Sequence, residues 1–173
     1  SRERVRSPAW RIGGVEDGDN AAKEIKKEML ETYELRPTLA NDNGYSEKEL
    51  ELLKKYTGAE TAEKIQEFSR KNAEKETDRA TYQAMEALIH NLNTMHSRAG
   101  AQVPFTSINF GTDTTPSGRL LSKYLLEATM NGLGKGETPI FPISIFKVKE
   151  GVNDNPGDPN YDLFKRSMEV SAK

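Results

Sequence analysis

Residues 90–149, HNLNTMHSRAGAQVPFTSINFGTDTTPSGRLLSKYLLEATMNGLGKGETPIFPISIFKVK, decide the fold class of this chain. Within them, residues 103–110 and 140–148 have the apolar, β-branched and aromatic composition of strands. A helical pattern that starts at Pro116 lies between them. Because parallel neighbours need a long crossover connection, strand, helix and strand in this order predict a parallel βαβ unit. We therefore predict an α/β fold, helix-rich with one βαβ unit.

The crossover helix has clear start and stop signals. Thr115 is predicted to cap it, and Pro116 occupies the first helical position, where proline is tolerated best. Gly132 is predicted to end it in a left-handed conformation. The residues predicted to form its buried face are Leu120, Leu121, Tyr124, Leu125 and Ala128.

The N-terminal half is charged and helical. Residues 1–19 mix charge with proline and glycine and are predicted to be a loose leader, and residues 20–80 a helical lead-in segment. In that segment Ser46 and Glu49 have the spacing of a capping box. The next helix is predicted from about Thr61 to His96, with or without a break in its charged middle. A last helix is predicted near the C-terminus, with Asp158 as its N-cap and Pro159 as its first residue.

The helix that leads into the βαβ unit carries three stripes at helical spacing. The apolar stripe is Tyr82, Met85, Ile89 and Leu92. The polar stripe is Gln83, Glu86, His90 and Asn93, and the small-residue stripe is Ala80, Ala84 and Ala87. The first stripe predicts a core contact. The other two fit either a packed interface or a polar ligand.

Two loops carry groups that suit a nucleotide. In the loop after this helix, Arg98 offers a charged fork for phosphate or carboxylate, next to Ser97, Gly100 and Gln102. An ordinary connecting loop explains the same residues. Residues 111–118, GTDTTPSG, fit a phosphate site at a helix N-terminus or simply a capped turn. Both alternatives stay open for each loop.

Composition limits the functions available. The 173 residues suit one domain or part of one, with 30% charged and 35% hydrophobic residues. A net charge of −2 gives no basic footprint, so binding to nucleic acid is not expected. No apolar run is long enough to span a membrane. Without cysteine there is no disulfide, thiolate metal site or thiol nucleophile, and the two histidines complete no metal set or triad. We assign no catalytic and no metal-binding residue.

Three strings resemble the catalytic subunit of the anaerobic (class III) ribonucleoside-triphosphate reductases. They are TYQAMEALIHNLNTMHSRAGAQVPFTSINFGTD (81–113), GETPIFPISIFKVKEGVN (136–153) and NPGDPNYDLFK (155–165). The resemblance implies that residues 81–173 form part of a ten-stranded α/β barrel, with an interface helix, a specificity-type loop and the βαβ unit. The chain is then expected to be an internal fragment.

The resemblance also implies a chemistry. Family members reduce ribonucleoside triphosphates to deoxyribonucleotides with a glycyl radical, a thiyl radical on a cysteine, and formate as reductant. They take ATP and deoxynucleotide effectors, form homodimers in the cytoplasm and need an S-adenosylmethionine iron–sulfur activase. This sequence holds neither the cysteine nor a glycyl-radical motif, so we expect the isolated chain to be inactive.

The resemblance places roles on named residues. The segment Ser97–Gln102 is similar to the loop that links the effector to the substrate base, and the polar stripe lies on the helix leading to it. Ser107 and Asn109 would face the substrate. The alternative is a non-catalytic nucleotide-binding or helix-dimerising module.

Overall fold

The structure, a computed structural model, describes residues 18–34, 42, 44–95, 105–134 and 137–173. In chain order their elements are α1 (Gly18–Glu31), α2 (Tyr45–Tyr56), α3 (Ala59–Thr94), β1 (Ser107–Phe110), α4 (Pro116–Asn131), β2 (Ile143–Phe146) and α5 (Tyr161–Ser171). The chain divides into two compact units, residues 1–77 and 78–173. No helix in the described ranges is long and apolar enough to cross a membrane.

The first unit is a small helical assembly. Its core combines the apolar faces of α1, α2 and the beginning of α3: Ala21, Ala22, Ile25, Met29, Leu52, Leu53, Ala62 and Ile65. The four-residue spacing of Ile25, Met29 and Tyr33 predicts that all three lie on one helical face. Ile25 and Met29 are buried, whereas Tyr33 lies beyond the end of α1 and is 36% exposed. Helices were therefore predicted correctly here.

The start of α2 differs from the predicted capping box. The Asp42 carboxylate accepts the Ser46 backbone N–H at 2.7 Å and the Ser46 hydroxyl at 2.9 Å. Ser46 is therefore inside the helix, and the helix has no side-chain cap from the residue before it. Glu49 is only 1% exposed and accepts from Gln66 Nε2 at 3.2 Å. The capping-box prediction is wrong, because an upstream carboxylate provides a charged acceptor for the exposed N–H.

Helix α3 is continuous. It runs for 36 residues from Ala59 to Thr94, without a break in the charged run 69–80. Exposed i,i+4 ion pairs join Lys64 to Glu60 and Lys71 to Glu67, each at 2.6 Å. Such pairs support a helix by only about 0.2–0.5 kcal/mol each. The predicted end at His96 lies outside the described residues.

The second unit contains the predicted parallel pair of strands. Ser107 to Phe110 align with Ile143 to Phe146 in parallel register, and α4 lies between them in sequence. Both strands are four residues long and shorter than predicted, with β2 beginning directly after Pro142. The predicted Val103 and Pro104 lie outside the described residues. The α/β class is compatible with this unit, whereas the ten-stranded barrel needs strands beyond these two.

The core of the second unit joins α3 to α4 and β1. Ile89, Leu125 and Ala128 are buried together, with Tyr82, Met85, Ile108, Phe110 and Leu133 packed against them. The Tyr82 and Tyr124 rings meet edge to face, with centroids 6.1 Å apart. Three of the four residues of the apolar stripe predicted on α3, Tyr82, Met85 and Ile89, therefore lie on the packing face.

Helix α4 buries Tyr124, Leu125 and Ala128 of the predicted face, and Leu120 is partly buried. Leu121 is 48% exposed, while Ser122 and Leu126 are buried. A buried serine is acceptable because its hydroxyl donates to the Gly118 carbonyl at 2.8 Å. Placing Leu121 on the buried face was therefore wrong.

Both ends of α4 lie where the sequence signals place them, although Gly132 does not take the predicted left-handed helical conformation. The Thr115 hydroxyl accepts the Gly118 N–H at 3.1 Å, and Pro116 is the first helical residue. Gly132 ends the helix with φ 71° and ψ −154°, a positive-φ conformation open only to glycine. A Cβ there would lie 2.3 Å from the Glu137 carbonyl oxygen.

Helix α5 begins later than predicted. Its N-cap position is Asn160, and its first residue is Tyr161. Asp158 does not cap it, because the Asp158 carboxylate accepts the Asn155 N–H at 3.0 Å in the preceding loop. Leu163 is buried, whereas Met168 is exposed. The Asp158 and Pro159 assignment is therefore wrong by two residues.

Candidate functional site

Gly111 lies at the junction between the carboxyl ends of β1 and β2, in the turn that leads to α4. Gly111 is buried and has φ 112°. A Cβ on it would lie 2.9 Å from the Phe146 ring and 3.0 Å from the Lys147 carbonyl oxygen. Only glycine allows β1 to leave the sheet this close to β2. Ligands of parallel α/β sheets bind at this edge, so the junction is the natural place to look for a site.

Two asparagines close the junction from the following loop. The Asn153 side-chain nitrogen donates to the Gly111 carbonyl at 2.9 Å, and that of Asn160 donates to the same oxygen at 3.0 Å. Both side chains are buried. Neither residue stood out in the sequence, where asparagine in a polar loop indicates a turn. No local signal shows that such a side chain is buried.

Arg119 extends this junction to α5. Its guanidinium donates to the Asn160 side-chain oxygen at 2.6 Å and to the Pro159 carbonyl. It also forms an ion pair with Asp162 at 2.8 Å. Arg119, in the first turn of α4, therefore connects this helix to Asn160 and Asp162, which lie more than forty residues later in the sequence.

The turn between β1 and α4 is closed by its own side chains. The Asp113 carboxylate accepts the Thr115 N–H at 2.8 Å. Hydrogen bonds from Thr115, from its side chain first and then its backbone, lower the pKa of Asp113 below the usual 3.8. Since the amides of Thr115 and Gly118 bond to side chains, the geometry favours the capped turn over a phosphate site for residues 111–118.

An open cavity of about 370 Å³ lies along β1, α3 and α4 in the second unit. Its lining is largely apolar, with a polar end at the junction: Met85, Leu88, Ile108, Asn109, Phe110, Gly111, Thr112, Asp113, Gly118, Leu121, Ser122 and Leu125. Asn109 lines this cavity, whereas Ser107 does not. Both are exposed on the sheet face opposite the core, beside the partner residues Ile143 and Ile145.

The polar stripe of α3 is divided. Gln83, Glu86 and His90 are exposed. Asn93 instead binds the segment before β2: its oxygen accepts the N–H groups of Ile140 at 2.9 Å and Phe141 at 3.0 Å. Its nitrogen donates to the Phe141 carbonyl at 2.6 Å. The structure thus brings three of the four side chains to one open face and gives Asn93 a fixed place beside β2.

The predicted loop residues Ser97, Arg98, Gly100 and Gln102 lie outside the described residues. In the ranges that the structure describes, no group of three histidine, cysteine or acidic side chains is placed to hold a metal ion.

The sequence of the junction and of both its strands matches a known family. The family model for the anaerobic ribonucleoside-triphosphate reductases matches residues 51–173. The chain belongs to this family. The match includes α3, the βαβ unit, the loop with both asparagines and all residues that we assigned to a site.

Individual reductases agree with the family match. The chain is 37% identical over 97 residues to the anaerobic ribonucleoside-triphosphate reductase of Haemophilus influenzae, covering 56% of the chain and 14% of that protein. It is 40% identical over 116 residues to the anaerobic ribonucleoside-triphosphate reductase of enterobacteria phage T4, covering 66% of the chain and 19% of that protein. It is 35% identical over 102 residues to the anaerobic ribonucleoside-triphosphate reductase of Escherichia coli, covering 58% of the chain and 14% of that protein. The chain thus spans less than a fifth of the length of these reductases.

Proposed function

We propose that this chain is part of an anaerobic ribonucleoside-triphosphate reductase, an oxidoreductase that converts ribonucleotides to deoxyribonucleotides by radical chemistry. The observation that carries the proposal is the family match over residues 51–173. Three relatives with this name share 35–40% identity with the chain. In this proposal the chain supplies an effector-specificity loop and early barrel strands.

The exposed sheet face supports the barrel. Parallel strands occur almost only where both faces of the sheet are covered. Here β1 and β2 pack on helices through one face only, and Ile143 and Ile145 are 40% and 44% exposed on the other. Further strands or loops of a barrel would cover this face and both open edges. Ser107 and Asn109 lie on the same face, where we place the substrate.

The open face of α3 supports an effector role. Gln83, Glu86 and His90 are exposed in the last turns before residues 96–104, together with Ala84 and Ala87. Small residues allow a second helix to approach closely, as in a homodimer. A deoxynucleotide or ATP between two such helices could then shift the segment Ser97–Gln102 and change which substrate base is accepted.

The radical chemistry needs groups that these 173 residues do not include. A thiyl radical requires cysteine, and the sequence has none. In the proposed enzyme the thiyl and glycyl radicals, formate and the iron–sulfur activase act with other parts of the protein. This segment binds and orients nucleotides, and we place it in the cytoplasm.

The open face of α3 also supports a second candidate. A chain that dimerises through α3 and binds nucleotides without catalysis would use the same Gln83, Glu86 and His90 face. This non-catalytic module would need no cysteine, glycyl radical or activase.

Nucleotide titration tests the loop assignment. We expect the chain to bind at least one of dATP, dGTP and dTTP by calorimetry, and Arg98→Ala to weaken that binding about tenfold or more, since a charged hydrogen bond to phosphate is lost. Arg79→Ala is the matched control, because Arg79 is an exposed arginine of α3. Equal affinity of Arg98→Ala and the unaltered chain would contradict the assignment of the loop.

A segment exchange tests the function itself. We expect the phage T4 reductase to keep forming deoxynucleotides anaerobically when its matching segment is replaced by this chain. A folded exchange enzyme that binds nucleotide but forms no product would favour the non-catalytic module.

A further inference from the structure

Asn153 and Asn160 have no role in the proposed chemistry, yet they are the most completely buried polar residues of the second unit. Each is 0% exposed. They lie at the two ends of a loop otherwise rich in exposed residues. A buried amide group costs free energy unless its donors and acceptor are satisfied.

The hydrogen bonds of both side chains converge on Gly111. Besides their shared bond to the Gly111 carbonyl, Asn153 donates to the Lys147 carbonyl at 2.9 Å and accepts from the Lys149 N–H at 2.8 Å. Asn160 donates to the Asp113 carbonyl at 2.8 Å. Its oxygen accepts from the Arg119 guanidinium at 2.6 Å. Asn153 thus joins the end of β1 to the end of β2. Asn160 joins the end of β1 to α4 through Arg119.

We propose that Asn153 and Asn160 are positioning residues for the substrate-facing end of β1. They fix Gly111, which lies two residues after Asn109 and two before Asp113. The backbone that carries Asn109 and Asp113 is thereby set before any ligand binds. The link to substrate rests on the proposed function, in which Asn109 faces the substrate.

If Asn153 and Asn160 only position Gly111, replacing them should loosen the chain locally. If they support the second unit as a whole, replacing them should unfold that unit. The interior of α4 is held by apolar packing of Leu125 and Ala128, which does not involve the asparagines. The turn before it has little apolar packing, and its amides depend on Asp113 and Thr115. Loss of the hydrogen bonds to the Gly111 and Asp113 carbonyls should therefore expose the amides of the turn to exchange, while the amides in the interior of α4 stay protected.

Amide hydrogen exchange of the 173-residue chain, followed by NMR, tests this. In Asn160→Ala and in Asn160→Asp we expect the amides of Thr115 and Gly118 to exchange about tenfold faster, since net hydrogen bonds are lost. The amides of Leu125 and Ala128 should keep their rates. Asn160→Asp preserves the side-chain shape, replaces the N–H donors by an acceptor oxygen and adds a negative charge, whereas Asn160→Ala removes the donors without adding a charge.

A control and a milder variant complete the test. Asn155→Ala alters an exposed asparagine of the same loop and should change neither set of amides. Arg119→Ala removes a partially exposed partner of Asn160 and should accelerate Thr115 exchange by a smaller factor.

Two results would overturn the proposal: unchanged Thr115 and Gly118 rates in Asn160→Asp and Arg119→Ala, or equal acceleration at Leu125 and Ala128. Neither measurement requires nucleotide or turnover. A failure here is therefore distinct from failure of the reductase function.

Discussion

Single residues fix the path of the chain at the junction. Gly111 is the point at which β1 turns toward α4, and its backbone lies against Phe146 and Lys147 of the neighbouring strand segment. Its carbonyl accepts two side-chain amides from the later loop. A single glycine therefore provides both the space and the acceptor around which the site is built.

Gly111→Ala tests this directly. We expect the free energy of unfolding to fall by about 2–4 kcal/mol, since alanine would be strained at positive φ and its Cβ would also meet Phe146. Gly134→Ala is the matched control, because Gly134 also has positive φ, 99°, but nothing within 4 Å of an added Cβ. It should lose only about 1–2 kcal/mol. Urea unfolding measures both, and equal losses would show that the contact with β2 does not matter.

At the scale of elements, the helices were predictable where their signals are local. The cap, first proline and terminal glycine of α4 lie within one turn of its ends, so the sequence shows them directly. The start of α5 was misplaced because Asn160 takes a role that depends on the fold around it, and the start of α2 because Asp42, four residues before Ser46, supplies the acceptor instead. The buried face of α4 was predicted correctly at Tyr124, Leu125 and Ala128 but not at Leu121, since burial at the edge of a helical face depends on what the helix packs against.

Thr115→Ala tests the cap of α4 and the titration of Asp113 together. Loss of the cap should lower stability by about 1 kcal/mol. The pKa of Asp113 should rise toward 3.8, since the side-chain hydrogen bond of Thr115, the first cause of the lowered pKa, is lost while the backbone hydrogen bond remains. A lowered folded-state pKa means that the stabilisation is present above the unfolded pKa and is lost as pH falls through the folded pKa. Carboxyl NMR titration measures the shift, with the exposed neighbour Thr114→Ala as control.

At the scale of the whole molecule, the described residues leave two surfaces open, and the sequence holds no cysteine. The βαβ unit leaves one sheet face open, and α3 leaves a polar face open. Both features fit a segment that is covered by other parts of a larger enzyme or by a second subunit.

The isolated chain should therefore show no turnover. We expect no deoxynucleotide when it is incubated anaerobically with ribonucleoside triphosphates, formate, effector and activase, because no cysteine is present to carry a thiyl radical. Chromatography of the nucleotides measures the product, and the phage T4 reductase is the positive control. Product formed by this chain above the level without activase would contradict the radical mechanism that we assign.

The sequence by itself determined the family, the parallel βαβ unit and the apolar stripe of α3. These features depend on periodicity, on local start and stop signals and on long specific strings, all of which can be read without knowing what lies nearby in space. Only the tertiary structure decided that Asn93 binds the segment before β2 and that Asn153 and Asn160 meet at Gly111. Those contacts join residues more than forty positions apart, and a buried amide is distinguished from a loop amide only by the partners that the fold brings to it.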